Sequence, residues 1–214
     1  PMAFNPQTGL VYIPAMQPMG IYALSEEFKK TGKYPRQDMF WNPGIDWNKW
    51  LNTVEDLMAK VGGPLPPDRG YLKAWDPVAK KPKWVHDYPN AWNGGILATG
   101  GGLVFQGALD GKFRAFDAAT GAPKWETDTG YPALSGPISY EIDGEQYIAV
   151  TAGWGTALPL AGGVGSRDGA ARLASPAMGK VVVFKIGGKG ELVTDESFPP
   201  DPTPVAEDFG SLAQ

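Results

Sequence analysis

Ala115-Phe116-Asp117-Ala118-Ala119-Thr120-Gly121-Ala122-Pro123-Lys124-Trp125 repeats the pattern of Ala74-Trp75-Asp76-Pro77-Val78-Ala79-Lys80-Lys81-Pro82-Lys83-Trp84 at a distance of 41 residues. Ala, Asp, Pro, Lys and Trp are identical at matching positions, and an aromatic residue follows Ala in both copies. A period of about 40–45 residues is what one four-stranded propeller blade occupies. Each residue of the motif has a physical reading. The small Ala lets a neighbouring layer approach its strand. Asp117 opens a turn whose backbone N–H groups its carboxylate can accept, and Gly121 supplies the positive φ that such a turn requires. The next strand delivers Trp125 onto a neighbouring sheet, where a Trp buries roughly 150–250 Å². Trp84 and Trp125 are therefore read as glue between blades. The first copy departs from the second at Ala79-Lys80, where Thr120-Gly121 would align, which predicts a looser turn there.

Working outward from the second copy, short strands are expected at Ile96–Thr99, Leu103–Gly107 and Lys112–Phe116, with Pro123–Glu126 closing the blade. Leu109-Asp110-Gly111 carries the Asp-Gly signal of a tight hairpin. Ile138–Ile142 and Glu145–Thr151 flank the turn Asp143-Gly144, Lys180–Lys185 forms a last strand, and Asn5-Pro6-Gln7-Thr8-Gly9 turns into a strand at Leu10–Ile13. The pairing implied throughout is antiparallel.

One segment has a different period. Trp47, Trp50, Leu51, Val54, Leu57, Met58 and Val61 fall at helical spacing and are stopped by Gly62-Gly63-Pro64, so a packing helix is expected as an insertion over about 45–63. The Pro-rich stretch Phe198–Pro204 lacks donors and fixes φ, and 191–214 reads as a tail or linker. The fold class expected is all-β: propeller blades over 1–190 with one helical insertion.

Composition narrows the functions. The 19 Lys and Arg against 23 Asp and Glu give a net charge of −4, a poor match to nucleic acid. No apolar run is long enough to span a bilayer. With no Cys, these residues hold no disulfide and no covalent haem attachment. The single His, His86, argues against Ser-His-Asp catalysis and His-rich metal sites; in His86-Asp87-Tyr88-Pro89 it reads as part of a surface turn. Pro1 precedes the first Met, and the sequence reads as cut from a longer one.

Several motifs resemble the pyrroloquinoline quinone-dependent alcohol dehydrogenases, the quinoprotein and quinohaemoprotein family: Phe4–Ala15, Arg69–Pro77, Trp92-Asn93-Gly94-Gly95-Ile96-Leu97-Ala98-Thr99, the block Gly102–Trp125, and Gly153-Trp154-Gly155 after Tyr147-Ile148-Ala149-Val150. They occur in family order from about Pro1 to Val183. The resemblance implies the C-terminal blades of an eight-bladed propeller with the quinone in a central funnel and Ca²⁺ or a lanthanide beside it. It further implies oxidation of an alcohol, with electrons passed to a cytochrome c, and a periplasmic location. Trp154 with Gly153 resembles the Gly-Trp pair lining the quinone pocket, and Asn93 with Trp92 resembles a wall of it. The family's metal ligands, catalytic Asp and adjacent-cysteine pair match no position here, and are expected upstream of Pro1 in a missing N-terminal part of the propeller. The piece is therefore expected to be inactive alone. The tail resembles the linker that joins some members to a haem c domain.

A different class, a non-catalytic propeller scaffold for protein assembly, would also use docking tryptophans. It has no need of Trp92-Asn93-Gly94-Gly95 or Gly153-Trp154-Gly155, and their presence favours the enzyme. A free-standing small β protein would leave sheet edges open.

Overall fold

The computed structural model describes residues 1–17, 24, 26–33, 62, 69–153 and 179–192. These form three antiparallel sheets. The first orders β1 (Ala3–Asn5), β2 (Leu10–Gln17), β3 (Arg69–Asp76) and β4 (Lys81–Tyr88) side by side. The second does the same with β5 (Asn93–Ala98), β6 (Leu103–Ala108), β7 (Lys112–Asp117) and β8 (Pro123–Asp128). The third has β9 (Ile138–Ile142), β10 (Glu145–Ala152) and β11 (Lys180–Lys185), with β10 in the middle. A short helix, α1 (Glu26–Thr31), lies between β2 and β3 and was not anticipated. The helical insertion expected over 45–63 and the tail over 191–214 lie outside the described residues, apart from Gly62, Glu191 and Leu192.

Two apolar layers bind the sheets face to face. Between the first and second, Leu10, Tyr12, Leu72, Ala74 and Tyr88 meet Ile96, Val104, Ala108 and Phe116. Between the second and third, Phe105, Phe113 and Ala115 meet Val150, Ala152 and Val182. Up-and-down four-stranded sheets stacked in chain order are propeller blades.

The repeat holds at atomic detail. Ala74 faces Trp84 and Ala115 faces Trp125 across the last strand pair of their sheets, and the register slips directly after Ala in both. Asp117 Oδ1 accepts the Ala119 and Thr120 N–H groups at 3.1 and 3.0 Å, and Asp76 Oδ1 accepts those of Val78 and Ala79 at 2.9 Å each. Trp84 docks on the second sheet as read: its indole N–H donates to Ala118 O at 3.0 Å, and the ring lies against Gly121. Trp125 meets the third sheet through Phe184, 5.1 Å between ring centroids, but is less enclosed and stays 40% exposed.

The Ala79-Lys80 turn keeps its shape rather than loosening. Lys80 takes φ 55° where Gly121 has 75°, so the exposed lysine adopts a left-handed conformation that costs an L-residue about 1–2 kcal/mol. Part of that returns when the flexible glycine must be ordered. Lys80→Gly is expected to stabilise the intact protein by about 0.5–1 kcal/mol, seen as a higher urea midpoint; a lower midpoint would mean that the lysine side chain contributes more than its backbone costs.

One reading is corrected. His86 lies within β4 and not in a surface turn. Trp84, His86 and Tyr88 alternate toward the second sheet, with the imidazole 4.7 Å from the Phe116 ring and 4.8 Å from that of Tyr88. Burial and the nearby Arg114 cation push its pKa below the ordinary histidine value, as expected for an imidazole used as an apolar ring. The Asp87 and Pro89 signals belong to the exposed face and to the strand's exit.

Candidate functional site

In all three sheets one end holds tight turns, at Pro6–Gly9, Asp76–Lys80, Thr99–Gly102, Asp117–Gly121 and Asp143–Gly144. The opposite end holds the inter-sheet connections Tyr88 to Asn93 and Asp128 to Ile138, together with the β6–β7 hairpin at Asp110-Gly111 and the exit of β10 at Gly153. Trp92, Asn93 and Gly153 all lie at this second end. Trp154 falls outside the described residues.

Backbone hydrogen bonds tie these positions together. Leu109 N–H donates to Trp92 O at 3.3 Å, Ala133 N–H to Ala108 O at 3.2 Å, and Gly153 N–H to Pro132 O at 2.8 Å. The connection Pro132-Ala133 therefore bridges the Trp92 side of the site to the Gly153 side. Glycines make the close approach feasible: a Cβ on Gly94 would stand 2.7 Å from Ala133 O and 2.9 Å from Ser135 O, and one on Gly107 would collide with Ala133 itself. At Gly153 φ is 157°, and a Cβ would meet Gly179 Cα at 2.9 Å, so this position also needs glycine.

Asn93 is joined to a buried polar group that sequence reading missed. Gln106, fully buried in β6, donates from Nε2 to Gly94 O at 2.8 Å and to Asn93 Oδ1 at 3.3 Å, and accepts the Tyr88 hydroxyl at 2.9 Å. Asn93 Nδ2 donates to Ala15 O at 3.0 Å and to Tyr71 O at 3.5 Å in the first sheet. Backbone carbonyls only accept, so both amide orientations are fixed. Burial raises the Tyr88 pKa strongly, with Arg114 opposing, which keeps the phenol a donor. Arg114 lies over that ring at 5.5 Å and pairs with Asp110 and Glu126. Desolvation resists ionisation of Asp110, but its hydrogen bonds to Arg114 and Lys112 outweigh it and lower the pKa. The available signal was a lone Gln inside the apolar strand Leu103–Ala108.

Trp92 is half-buried, and among the described residues its indole N–H has no hydrogen-bond partner. Also among the described residues, no three of His, Cys, Asp and Glu gather as a metal site, so no step is derived through a metal held by them.

Residues 59–148 match the PQQ family of glucose, ethanol and alcohol dehydrogenase β-propeller domains. The chain belongs to the quinoprotein alcohol dehydrogenase family. The quinohemoprotein alcohol dehydrogenase of Comamonas testosteroni is 37% identical over 219 residues, covering 100% of this chain and 27% of that protein. The 1-butanol dehydrogenase (cytochrome c) of Thauera butanivorans is 35% identical over 194 residues, covering 89% of this chain and 25% of that protein. Among solved structures, quinohemoprotein alcohol dehydrogenase ADHIIG from Pseudomonas putida HK5 superposes with a TM-score of 0.67 at 31% identity, covering 99% of this chain and 29% of that one. The chain thus spans about a quarter of the length of the curated relatives it matches. In this quinoprotein propeller, the match covers β3 through the first half of β10 and so includes Trp92, Asn93 and Gln106.

Proposed function

We propose that this chain is part of a quinone-dependent dehydrogenase that oxidises an alcohol to an aldehyde or ketone and passes the electrons to a cytochrome c in the periplasm. The observation that carries this reading is the match of residues 59–148 to the quinone-dependent dehydrogenase propeller family, with Trp92 and Gly153 at one end of the sheets. Pyrroloquinoline quinone is aromatic and rimmed with carbonyl and carboxylate acceptors, and an indole offers it both a ring face and an N–H donor. When bound, the quinone supplies a two-electron acceptor. The chain's own part is binding and orientation: Trp92 and Gly153 line one wall of its pocket, Trp154 follows Gly153 in sequence, and Asn93 supports that wall from behind. Ca²⁺ or a lanthanide is held by residues outside this stretch, as is the catalytic carboxylate, and any haem c belongs to a further domain. The alcohol substrate and the cytochrome acceptor are supported by relatives such as the 1-butanol dehydrogenase (cytochrome c) of Thauera butanivorans.

The test is an equilibrium titration of the intact apoprotein with pyrroloquinoline quinone and Ca²⁺, read by tryptophan fluorescence. Saturable binding is expected, weakened at least tenfold by Trp92→Ala, a loss of about 1.4 kcal/mol. Absence of saturable binding to the wild type would overturn the reading and favour a scaffold, which needs only the docking tryptophans.

A further inference from the structure

Asn93 stands next to Trp92, yet its amide is engaged by other parts of the protein. Both of its N–H groups go to carbonyls of the first sheet, Ala15 O and Tyr71 O, and its oxygen takes the Gln106 amide. What remains is one acceptor lone pair, a poor complement to a quinone whose rim is acceptors apart from a single pyrrole N–H. Direct cofactor contact therefore does not account for this residue.

The same bonds do account for where Trp92 sits. The connection between blades leaves β4 at Tyr88 and enters β5 at Asn93, with Trp92 carried between them. Gln106 takes the Tyr88 hydroxyl on its oxygen and reaches Asn93 with its nitrogen, so it closes a ring around that connection. The floor is equally tight. A Cβ on Gly70 would meet Ala91 O at 2.8 Å and Asn93 Nδ2 at 2.9 Å, so the connection lies directly on the backbone of β3. Tyr88 and Gln106 are buried and Asn93 is half-buried, and these satisfied members hold one another in a single geometry.

We propose that Asn93, through the clamp Tyr88–Gln106–Asn93, is a positioning residue that acts on the quinone by fixing Trp92. This rests on the functional reading above and assigns to Asn93 and Gln106 a role distinct from cofactor contact.

The test is a double-mutant cycle in the intact protein. The dissociation constant for pyrroloquinoline quinone with Ca²⁺ is measured by titration, at a temperature where near-ultraviolet circular dichroism shows every variant folded. Asn93→Ala is expected to weaken binding about tenfold, or about 1.4 kcal/mol, a size typical of coupling between neighbours in one network. In a Trp92→Ala background the same change is expected to cost less than twofold, because the residue it positions is gone. Should the double variant instead lose the product of the two single factors, Asn93 touches the cofactor independently and the proposal fails. A lower Tm with binding unchanged within twofold would reduce Asn93 to a structural role and fail it equally. If Asn93→Ala does not fold, Tyr88→Phe removes one hydroxyl at the far end of the clamp. It is expected to weaken binding about threefold, an effect that vanishes in the Trp92→Ala background; no effect in either background overturns the proposal. Wild-type protein that binds no quinone overturns the functional reading and this one with it, whereas wild-type binding combined with a failed cycle overturns only the clamp.

Discussion

Trp84→Ala is expected to destabilise the intact protein by about 3 kcal/mol or more, the range for removing a large aromatic from a packed layer. The ring stands at 5.8 Å from Tyr12 and 6.5 Å from Phe116, so it closes the first apolar layer at the end that holds the tight turns. Its N–H donates to Ala118 O, which the Tyr12 hydroxyl also reaches at 2.9 Å. That carbonyl keeps one donor after the substitution, and most of the loss is therefore packing. Trp84→Phe, which keeps an apolar ring and forfeits the hydrogen bond, separates the two contributions: about 1 kcal/mol is expected for the bond alone. Gly121 cannot compensate. Its φ of 75° and the Trp84 ring, 2.6 Å from a would-be Cβ, fix the dock from the other side. Urea midpoints of the two variants decide the matter. A Trp84→Ala loss under about 1 kcal/mol would mean that the apolar layer holds the blades without the dock.

The sequence motif and the structure agree best where the physics is local. Asp117 and Asp76 act on N–H groups two and three residues ahead, and Gly121 answers a φ requirement of its own turn. Such features need no knowledge of the rest of the chain. The Ala opposite each Trp also follows from the motif once the hairpin is drawn. His86 went astray because Asp87 and Pro89, both turn residues, flank an alternation that only becomes decisive when the second sheet supplies Phe116 as a partner. Trp92, Asn93 and Gly153, singled out as residue types, share one end of the sheets. Their relation was not legible in the sequence. Asn93 reaches Ala15, 78 residues away, and it binds that residue's backbone carbonyl, a group every residue carries. The partner was set by register between two blades and left no mark on the sequence. The collision partners of Gly94 and Gly107 are hidden for the same reason, since Ala133 enters through a connection with no regular structure.

Gly107→Ala is expected to cost about 3 kcal/mol, at the upper end of what one inserted methyl exacts from a packed interior, and to weaken quinone binding at the same time. The added methyl would fall on Ala133 O and stand 2.5 Å from Ala133 Cβ. Neither neighbour is the far end of a flexible side chain. Ala133 is fully buried, and its N–H is bonded to Ala108 O in the same strand as Gly107. Relief therefore requires moving the Pro132-Ala133 connection as a unit. That connection accepts the Gly153 N–H through Pro132 O and lies against Gly94, so its displacement reaches both sides of the proposed cofactor wall. Gly102→Ala is the matched control. Its φ of 78° makes alanine strained, yet nothing lies within 4 Å of the new methyl, and it sits at the end that holds the tight turns. About 1–2 kcal/mol of stability is expected to be lost there, with quinone affinity unchanged. Thermal midpoints and quinone titrations on the same two variants give four numbers. Equal losses of affinity in both would mean that binding follows stability in general, and would remove the Pro132-Ala133 bridge as the path by which Gly107 reaches the site.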